Sequence, residues 1–237
     1  MRFFRTSLRE KTMKSADNKS VTIAGLSLIA AFALWTVAVG FIDVKPVGPN
    51  GSAVGFSTLN MLVKRVIGVH MALYVITDWL GIIPVAVAFG FAVSGFVQLV
   101  ARRSLLKVDH SILALGAFYI IVIAVYLLFE KVVVNYRPVL IDGYLEASYP
   151  SSTTLLALCV MPTAAMQLGA RVRNKILRNV IVIGIAVFTA FMVIGRLISG
   201  VHWLSDIIGG ALFSAGLDLL YFAVFRIIAG RSQNLLN

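Results

Sequence analysis

Long apolar runs constrain this chain more than any other feature of its sequence. A helix of about twenty apolar residues matches the roughly 30 Å hydrocarbon core of a bilayer. The chain is 59% hydrophobic and only 13% charged, whereas about 25% of the residues of a soluble domain are charged. We therefore predict an all-α integral membrane protein, a bundle of six transmembrane helices. The predicted spans are 21–43, 80–101, 111–131, 153–170, 178–198 and 203–227.

The segment 55–79, between the first two spans, has a different pattern. Its apolar residues recur at helical spacing, but Lys64, Arg65 and His70 interrupt them. This pattern fits an interfacial or partly inserted helix better than a seventh span, and we predict such a helix here. The chain then divides into a basic tail, a membrane domain and a second tail, at 1–20, 21–228 and 229–237.

Lysines and arginines are distributed unevenly between the two sides of the predicted bundle. Fifteen lie in or next to the tails and the connections after the second and fourth spans, and six lie on the other side. Because cytoplasmic loops carry the excess of Lys and Arg, both termini are expected in the cytoplasm. The pattern favours a bacterial plasma membrane, with no cleavable signal peptide. The formal charge of +11 is then a topology signal, and no nucleic-acid partner is expected.

Three of the six outer cations lie in two polar segments, "EKVVVNYRPVLIDGYLEASYPSSTT" at 130–154 and "GRLISGVHWLSD" at 195–206. His202 and Asp206 are four residues apart at the start of the last span, and therefore lie on one helix face. A carboxylate there can accept the ring N–H of the imidazole and leave the other ring nitrogen as a nucleophile or base. We predict this pair as the catalytic pair of an outward-facing site.

A phosphoryl group is the ligand that the rest of these segments favours. Arg137 and Arg196 can bind its oxygens through charge-assisted bonds, and "YPSSTT" places hydroxyl residues at a helix start, where free N–H groups favour an anion. A metal site is the competing reading, but His202 and Asp206 would need a third ligand from the same side. We expect neither metal nor cofactor. The residues that could supply that ligand are His70, Asp43, Asp78, Asp142 and Glu146.

These residues resemble the type 2 phosphatidic acid phosphatase superfamily, which also includes vanadium haloperoxidases. "RLISGVHWLSD" matches its third signature, R-x5-H-x3-D, although Gly195 stands where a serine is usual. Arg137 and Pro138 match the end of the first signature, K-x6-R-P, and "PSST" falls where the second, P-S-G-H, belongs. The resemblance implies a metal-independent phosphatase for lipid phosphates. In it His202 attacks phosphorus, Asp206 orients His202, and a phosphohistidine is then hydrolysed.

Two departures from the signatures affect the expected chemistry. Seven residues before Arg137 the chain has Glu130, and the lysine of the first signature is shifted to Lys131. Ser152 and Thr153 replace the glycine and the histidine of the second signature, and that histidine is the family's general acid. The predicted phosphate-binding residues are Lys131, Arg137, Ser151, Ser152, Thr153 and Arg196.

Loss of the general acid changes the substrate that is expected. An alkoxide leaves poorly without a proton, whereas a phosphate monoester, with a second pKa of about 6, can leave unprotonated. We therefore predict a phosphatase for lipid diphosphates, such as polyprenyl or diacylglycerol diphosphate, with membrane lipids as its surroundings. A lipid phosphotransferase and a non-catalytic binder or transporter of phosphorylated lipids are the alternatives. The sequence leaves the oligomeric state open.

Overall fold

The protein is built from α-helices that run back and forth across one bundle. The computed structural model describes the backbone of residues 2–234 and the side chains of residues 17–230. Within this part of the chain six helical segments are long and apolar enough to cross a membrane, which confirms the predicted fold class. The helices are α1 (Arg2–Phe41), α2 (Ser57–Ile67), α3 (Met71–Leu80), α4 (Ile82–Arg102), α5 (His110–Lys131), α6 (Ser152–Arg171), α7 (Lys175–Ile198) and α8 (Leu204–Asn234).

The second span is longer than the sequence predicted. Helix α3 and helix α4 are separated by Gly81 alone, and together they form the membrane-spanning segment Met71–Arg102. The predicted interfacial helix 55–79 was therefore too long, because its second half is apolar and continues into the span. Its first half is present as α2, which exposes Leu62 and Val66. Most side chains of the predicted tails 1–20 and 229–237 lie outside the described residues.

Helices α1 and α8 pack closely against each other in opposite directions. At their crossing, a Cβ atom on Gly25 would lie 3.0 Å from the carbonyl oxygen of Gly216, and the reverse distance is also 3.0 Å. Small residues at a crossing let two membrane helices approach closely. At the two ends of this pair, Trp35 Nε1 donates to the carbonyl of Ser205 at 3.0 Å, and Arg226 pairs with Asp17 at 2.8 Å. The start of α8 is therefore fixed beside the end of α1.

An aromatic cluster fills the bundle below the polar segments. The ring of Phe32 stacks on that of Tyr149, with centroids 6.3 Å apart, and Phe129 and Phe213 meet Phe32 at 5.8 and 5.1 Å. The hydroxyl group of Tyr149 lies 2.7 Å from that of Thr36. This cluster supports the loop 132–151 from beneath. The loop lies on the same face of the bundle as α2, the start of α6, the end of α7 and the start of α8, which we call the site face.

Candidate active site

The site face brings both polar segments of the sequence together. Loop 132–151 supplies Arg137, the end of α7 supplies Arg196, and the turn before α8 supplies His202. The turn is tight at Gly200, which has a φ of +68° and a hypothetical Cβ position only 2.1 Å from the carbonyl oxygen of Gly68. Only glycine fits this approach without strain, and it sends the chain from α7 straight into α8.

His202 is buried, and of its two ring nitrogens only Nδ1 is hydrogen-bonded within the described structure. Its Nδ1 atom lies 3.1 Å from the carbonyl oxygen of Ser148 and 3.0 Å from the hydroxyl oxygen of the same residue. Because a carbonyl can only accept, Nδ1 carries the proton. The Nε2 atom is buried and has no hydrogen-bond partner among the described residues. It therefore presents a free lone pair, as a nucleophile requires.

Asp206 reaches His202 through a third residue. Its Oδ2 atom lies 3.9 Å from Nδ1 of His202, too far for the direct hydrogen bond that the sequence predicted. The hydroxyl of Ser148 lies between them and donates to Asp206 Oδ2 at 2.5 Å. The pair is therefore joined indirectly. Ser148 was not predicted from the sequence, since a single serine in a loop carries no signal of its own.

The carboxylate of Asp206 is completely enclosed by donors. The backbone N–H of Trp203 donates to Oδ2 at 2.9 Å, and Asn135 Nδ2 and Ser205 Oγ lie 3.1 and 3.3 Å from Oδ1. Asn60 of α2 supports this arrangement, because its Oδ1 atom accepts the N–H of Ser205 at 3.1 Å. Buried carboxylates are tolerated where such donors satisfy them. The carboxylate is thereby fixed in one orientation.

Arg137 belongs to loop 132–151, and most of its side chain is buried. Its Nε atom is 3.1 Å from Glu146 Oε2, an ion pair that lacks hydrogen-bond geometry, and its backbone N–H donates to the carbonyl of Glu146 at 3.0 Å. Its Nη1 atom is buried without a hydrogen-bond partner among the described residues. The guanidinium lies 5.9 Å from the ring centroid of Tyr74. Arg137 therefore keeps a free donor beside a site that already contains a histidine.

Arg196 is almost fully buried, at 1% exposure, and α3 holds most of its guanidinium. Its Nη1 atom lies 3.3 Å from both the carbonyl of Tyr74 and the hydroxyl of Thr77. Its Nη2 atom bonds Asp78 at 2.9 Å and the hydroxyl of Thr153 at 2.7 Å. Only Nε is left without a partner among the described residues. The three α3 partners come from more than a hundred residues earlier, so the sequence could not indicate them.

The start of α6 faces this group of side chains. The backbone N–H of Ser151, the residue before α6, donates to the carbonyl of Asp206 at 3.3 Å. The hydroxyl of Ser151 is buried and has no hydrogen-bond partner in the described structure. The first N–H groups of a helix are oriented outward and favour an anion. Ser151, Ser152 and Thr153 thus lie at a helix end, as the sequence predicted, although Thr153 is directed to Arg196.

An open pocket leads to His202. Its empty volume is about 350 Å³, counting the part open to solvent. Three of its lining residues belong to the last turns of α5, namely Tyr126, Phe129 and Glu130. The others are Arg137, Ala147, Ser148, Tyr149, Pro150, Ser152, Leu155 and His202.

Two neighbouring residues at the end of α5 differ in whether they line this pocket, a difference that sequence spacing alone could not predict. Glu130 lines it, whereas Lys131, the last residue of α5, is exposed and does not. One residue along a helix turns the side chain by roughly 100°, which accounts for the difference. Of the predicted phosphate-binding residues, the pocket is lined by Arg137 and Ser152, and Lys131 stands apart from the group.

Burial and positive charge act together on His202. Burial lowers the pKa of its imidazole well below its usual range, and the guanidinium groups of Arg137 and Arg196 lower it further. The hydrogen bond to the Ser148 carbonyl opposes this shift. At neutral pH the ring is therefore uncharged, the state in which Nε2 can attack an electrophile. In the described part of the chain, no group of three or more His, Cys, Asp or Glu residues is arranged to hold a metal ion.

The protein family of this chain follows from a comparison with known sequences. A sequence model of the PAP2 superfamily matches residues 109–228, half of the chain. The chain belongs to the PAP2 superfamily, as the resemblance of its motifs indicated. A search of curated proteins finds no match.

One solved structure is similar over most of its length. It is the crystal structure of the transmembrane PAP2 type phosphatidylglycerolphosphate phosphatase from Bacillus subtilis, and the two chains are 18% identical. The similarity covers 89% of this chain and 96% of the other, with a TM-score of 0.49.

Proposed function

We propose that this membrane protein is a lipid phosphatase that removes a phosphoryl group through a phosphohistidine at His202. One observation carries the proposal. On the site face, His202 Nε2, Arg137 Nη1, Arg196 Nε and the Ser151 hydroxyl are all buried and without hydrogen-bond partners in the described structure. Buried polar atoms are nearly always paired. A bound phosphoryl group would satisfy the three donors while its phosphorus faces the ring nitrogen.

The reaction follows from the roles that these atoms can take. The Nε2 lone pair forms a bond to phosphorus while the bond from phosphorus to the leaving oxygen breaks. Arg137 and Arg196 stabilise the negative charge on the phosphoryl oxygens, together with the N–H groups at the start of α6. Water then attacks phosphorus, the N–P bond breaks, and inorganic phosphate leaves with His202 regenerated.

The substrate preference depends on Thr153. Its hydroxyl accepts a hydrogen bond from Arg196, and a threonine hydroxyl does not release a proton near neutral pH. General acid assistance is worth roughly 10²–10⁴-fold, and a leaving group that needs no proton can forgo it. We therefore propose lipid diphosphates, such as polyprenyl or diacylglycerol diphosphate, as preferred substrates. The terminal phosphoryl group is transferred to His202 and the lipid monophosphate leaves.

The orientation proposed for the site follows from the charges of the chain. The cation-rich ends of the spans lie opposite the site face, so the positive-inside rule places both termini in the cytoplasm and the site at the outer leaflet of a plasma membrane. The lipid tail would then remain in the bilayer while the head group enters the pocket. Labelling of single cysteines from outside the cell on either face of the bundle tests this orientation.

Phosphate release from a panel of lipid mono- and diphosphates tests the function. The wild-type chain in lipid vesicles should hydrolyse diphosphates faster than monophosphates with the same tail, and His202→Ala should be inactive. His70→Ala is the matched control, because His70 lies on the same face but its ring bonds only the carbonyl of Ile67 in the described structure. Faster hydrolysis of monophosphates would contradict the diphosphate preference but not the proposed phosphatase activity.

Two other functions are distinguished by the same proteins. A non-catalytic lipid-phosphate binder is favoured by the absence of an acid at Thr153, and in that case His202→Ala would retain most of its phosphate affinity through Arg137 and Arg196. A lipid phosphotransferase would form the same phosphohistidine and pass it to an alcohol. Product analysis with and without an added lipid alcohol separates it from a hydrolase.

A further inference from the structure

The hydroxyl group of Ser148 occupies the gap between the two residues of the catalytic pair. It donates to Asp206 Oδ2 at 2.5 Å and lies 3.0 Å from His202 Nδ1, whereas those two atoms are 3.9 Å apart. A hydroxyl has one hydrogen to donate and two lone pairs. Since the hydrogen points to the carboxylate, a lone pair is left to accept the Nδ1–H of His202, which the hydroxyl shares with the carbonyl oxygen of Ser148. The direction of donation is therefore fixed: the imidazole donates to the serine hydroxyl, and the hydroxyl donates to the carboxylate.

We propose that Ser148 is a positioning residue that couples the charge of Asp206 to the ring of His202. The proposal rests on the proposed function for its kinetic consequence, and its geometry stands without it. As phosphorus bonds to Nε2, positive charge develops on the ring. The ionised carboxylate stabilises that charge through the polarised hydroxyl. The two hydrogen bonds strengthen during the step, and no proton needs to cross to Asp206.

The surroundings of Ser148 hold this hydroxyl in place. The residue is 2% exposed, and its backbone N–H donates to the carbonyl of Asn135 at 2.9 Å. Its own carbonyl accepts from His202 Nδ1 at 3.1 Å. The backbone and the side chain of Ser148 are therefore both hydrogen-bonded to the same ring nitrogen. Asn135 in turn donates to the other oxygen of Asp206. Movement of Ser148 would disturb both members of the pair at once.

The remaining donors to Asp206 provide a comparison within the same site. Ser205 is also fully buried, and its hydroxyl lies 3.3 Å from Asp206 Oδ1. Among the described residues its hydroxyl has no contact with His202. If Ser148 served only to satisfy the carboxylate, loss of either hydroxyl would have similar effects. If Ser148 couples the pair, only its loss changes the properties of the imidazole.

Ser148→Ala and Ser205→Ala therefore form the test, with kcat, KM and the pH dependence of kcat/KM as readouts. We expect Ser148→Ala to lower kcat on the order of 10–100-fold with little change in KM, as for other partners that orient a functional histidine. Ser205→Ala should lower it by no more than about threefold. Ser148→Thr retains the hydroxyl and should restore part of the rate. Equal losses in the two alanine variants, or an unchanged rate in Ser148→Ala, overturn the proposal.

The pH dependence gives a readout that a purely structural role would not move. Arg137 and Arg196 face the ring of His202 and disfavour its protonated form. On the proposed coupling, the carboxylate of Asp206 favours that form through Ser148. Glu130 is the other charged residue that lines the pocket. Loss of the coupling should lower the pKa of His202, so the acid limb of kcat/KM shifts to lower pH in Ser148→Ala. In Ser205→Ala the limb should stay in place. A limb that stays in place in both variants counts against the coupling.

A measurement without substrate separates this inference from the proposed function. Diethyl pyrocarbonate modifies neutral imidazole nitrogens, and mass spectrometry locates the product on the His202 peptide. The pH dependence of that modification in wild type, Ser148→Ala and Ser205→Ala should show the same downward shift in Ser148→Ala alone. A wild-type chain without phosphatase activity would defeat the proposed function, and this titration would still decide the coupling.

Discussion

Thr153 and Asp78 bind the same nitrogen atom of Arg196, at 2.7 and 2.9 Å. This shared contact joins the start of α6 to α3 and to the end of α7. At Thr153, where the sequence comparison expects the histidine of the second signature, the structure has a short hydroxyl group that accepts a hydrogen bond from an arginine. The orientation of Arg196 therefore depends on Thr153 as well as on α3.

Thr153→His should increase hydrolysis of lipid monophosphates. An imidazole at this position can protonate an alkoxide leaving group, so the rate with a monophosphate should rise at least about tenfold, and the rate with a diphosphate should change less. The measurement is phosphate release from two lipids that share one tail. Thr153→Gln is the control, since its side chain is of comparable length but cannot act as an acid. An equal gain in both variants would refute the acid-base explanation.

Arg196→Lys should impair both folding and turnover. A lysine cannot reproduce the four hydrogen bonds that the guanidinium makes to Tyr74, Thr77, Asp78 and Thr153. We expect the free energy of unfolding in detergent to fall by about 1–3 kcal/mol, the usual loss for an unsatisfied buried polar group. Denaturant titration measures it. Arg173→Lys, a change at an exposed residue on the opposite face, should be neutral. A neutral Arg196→Lys would contradict the structural role of these four hydrogen bonds.

Charge reversal at Glu130 should strengthen substrate binding. Glu130 lines the pocket that leads to His202, where its carboxylate opposes an anionic head group. Glu130→Lys is expected to lower KM several-fold for a lipid phosphate, and the effect should shrink as salt is added. Lys131→Ala is the comparison, because this side chain lies outside the pocket. A KM that responds to Lys131 and not to Glu130 would favour the assignment made from sequence alone.

The activity should persist in mildly acidic solution. The proposed attack by His202 requires a neutral ring, and burial together with Arg137 and Arg196 holds its pKa well below the usual value of about 6.5. The acid limb of kcat/KM should therefore lie below that value, with activity lost as the pH falls through the pKa. Arg137→Gln removes one positive charge, so the limb should move to higher pH. Lys45→Gln, an exposed change, should leave it where it is.

The membrane helices were predictable because their physical signal is long and local. The predicted spans 111–131, 153–170 and 178–198 correspond to His110–Lys131, Ser152–Arg171 and Lys175–Ile198. The start of the second span was predicted too late in the chain, because α2, which carries polar residues, is closely followed by the apolar α3. Periodicity alone cannot separate an interfacial helix from the first turns of a span.

The site was predictable only where its residues form a pattern. His202, Asp206 and Arg196 share one short motif, so their proximity followed from the sequence. Ser148 and Asp78 lie far from that motif in the chain, and only tertiary packing brings them to it. The helix end at Glu130 illustrates a different difficulty, since a shift of a single residue decides which side chain enters the pocket.

The order of the site residues along the chain has a consequence for biogenesis. Asn135, Ser148 and Ser205, whose side chains hydrogen-bond to the carboxylate of Asp206, all precede it in the chain. A nascent chain that has inserted its first five spans therefore contains Arg137 and Arg196 but not His202, the proposed nucleophile. On the proposed mechanism, hydrolysis requires that residue 206 has left the ribosome and that α8 has docked along α1. Partly translated chains would remain inert toward the lipids that surround them.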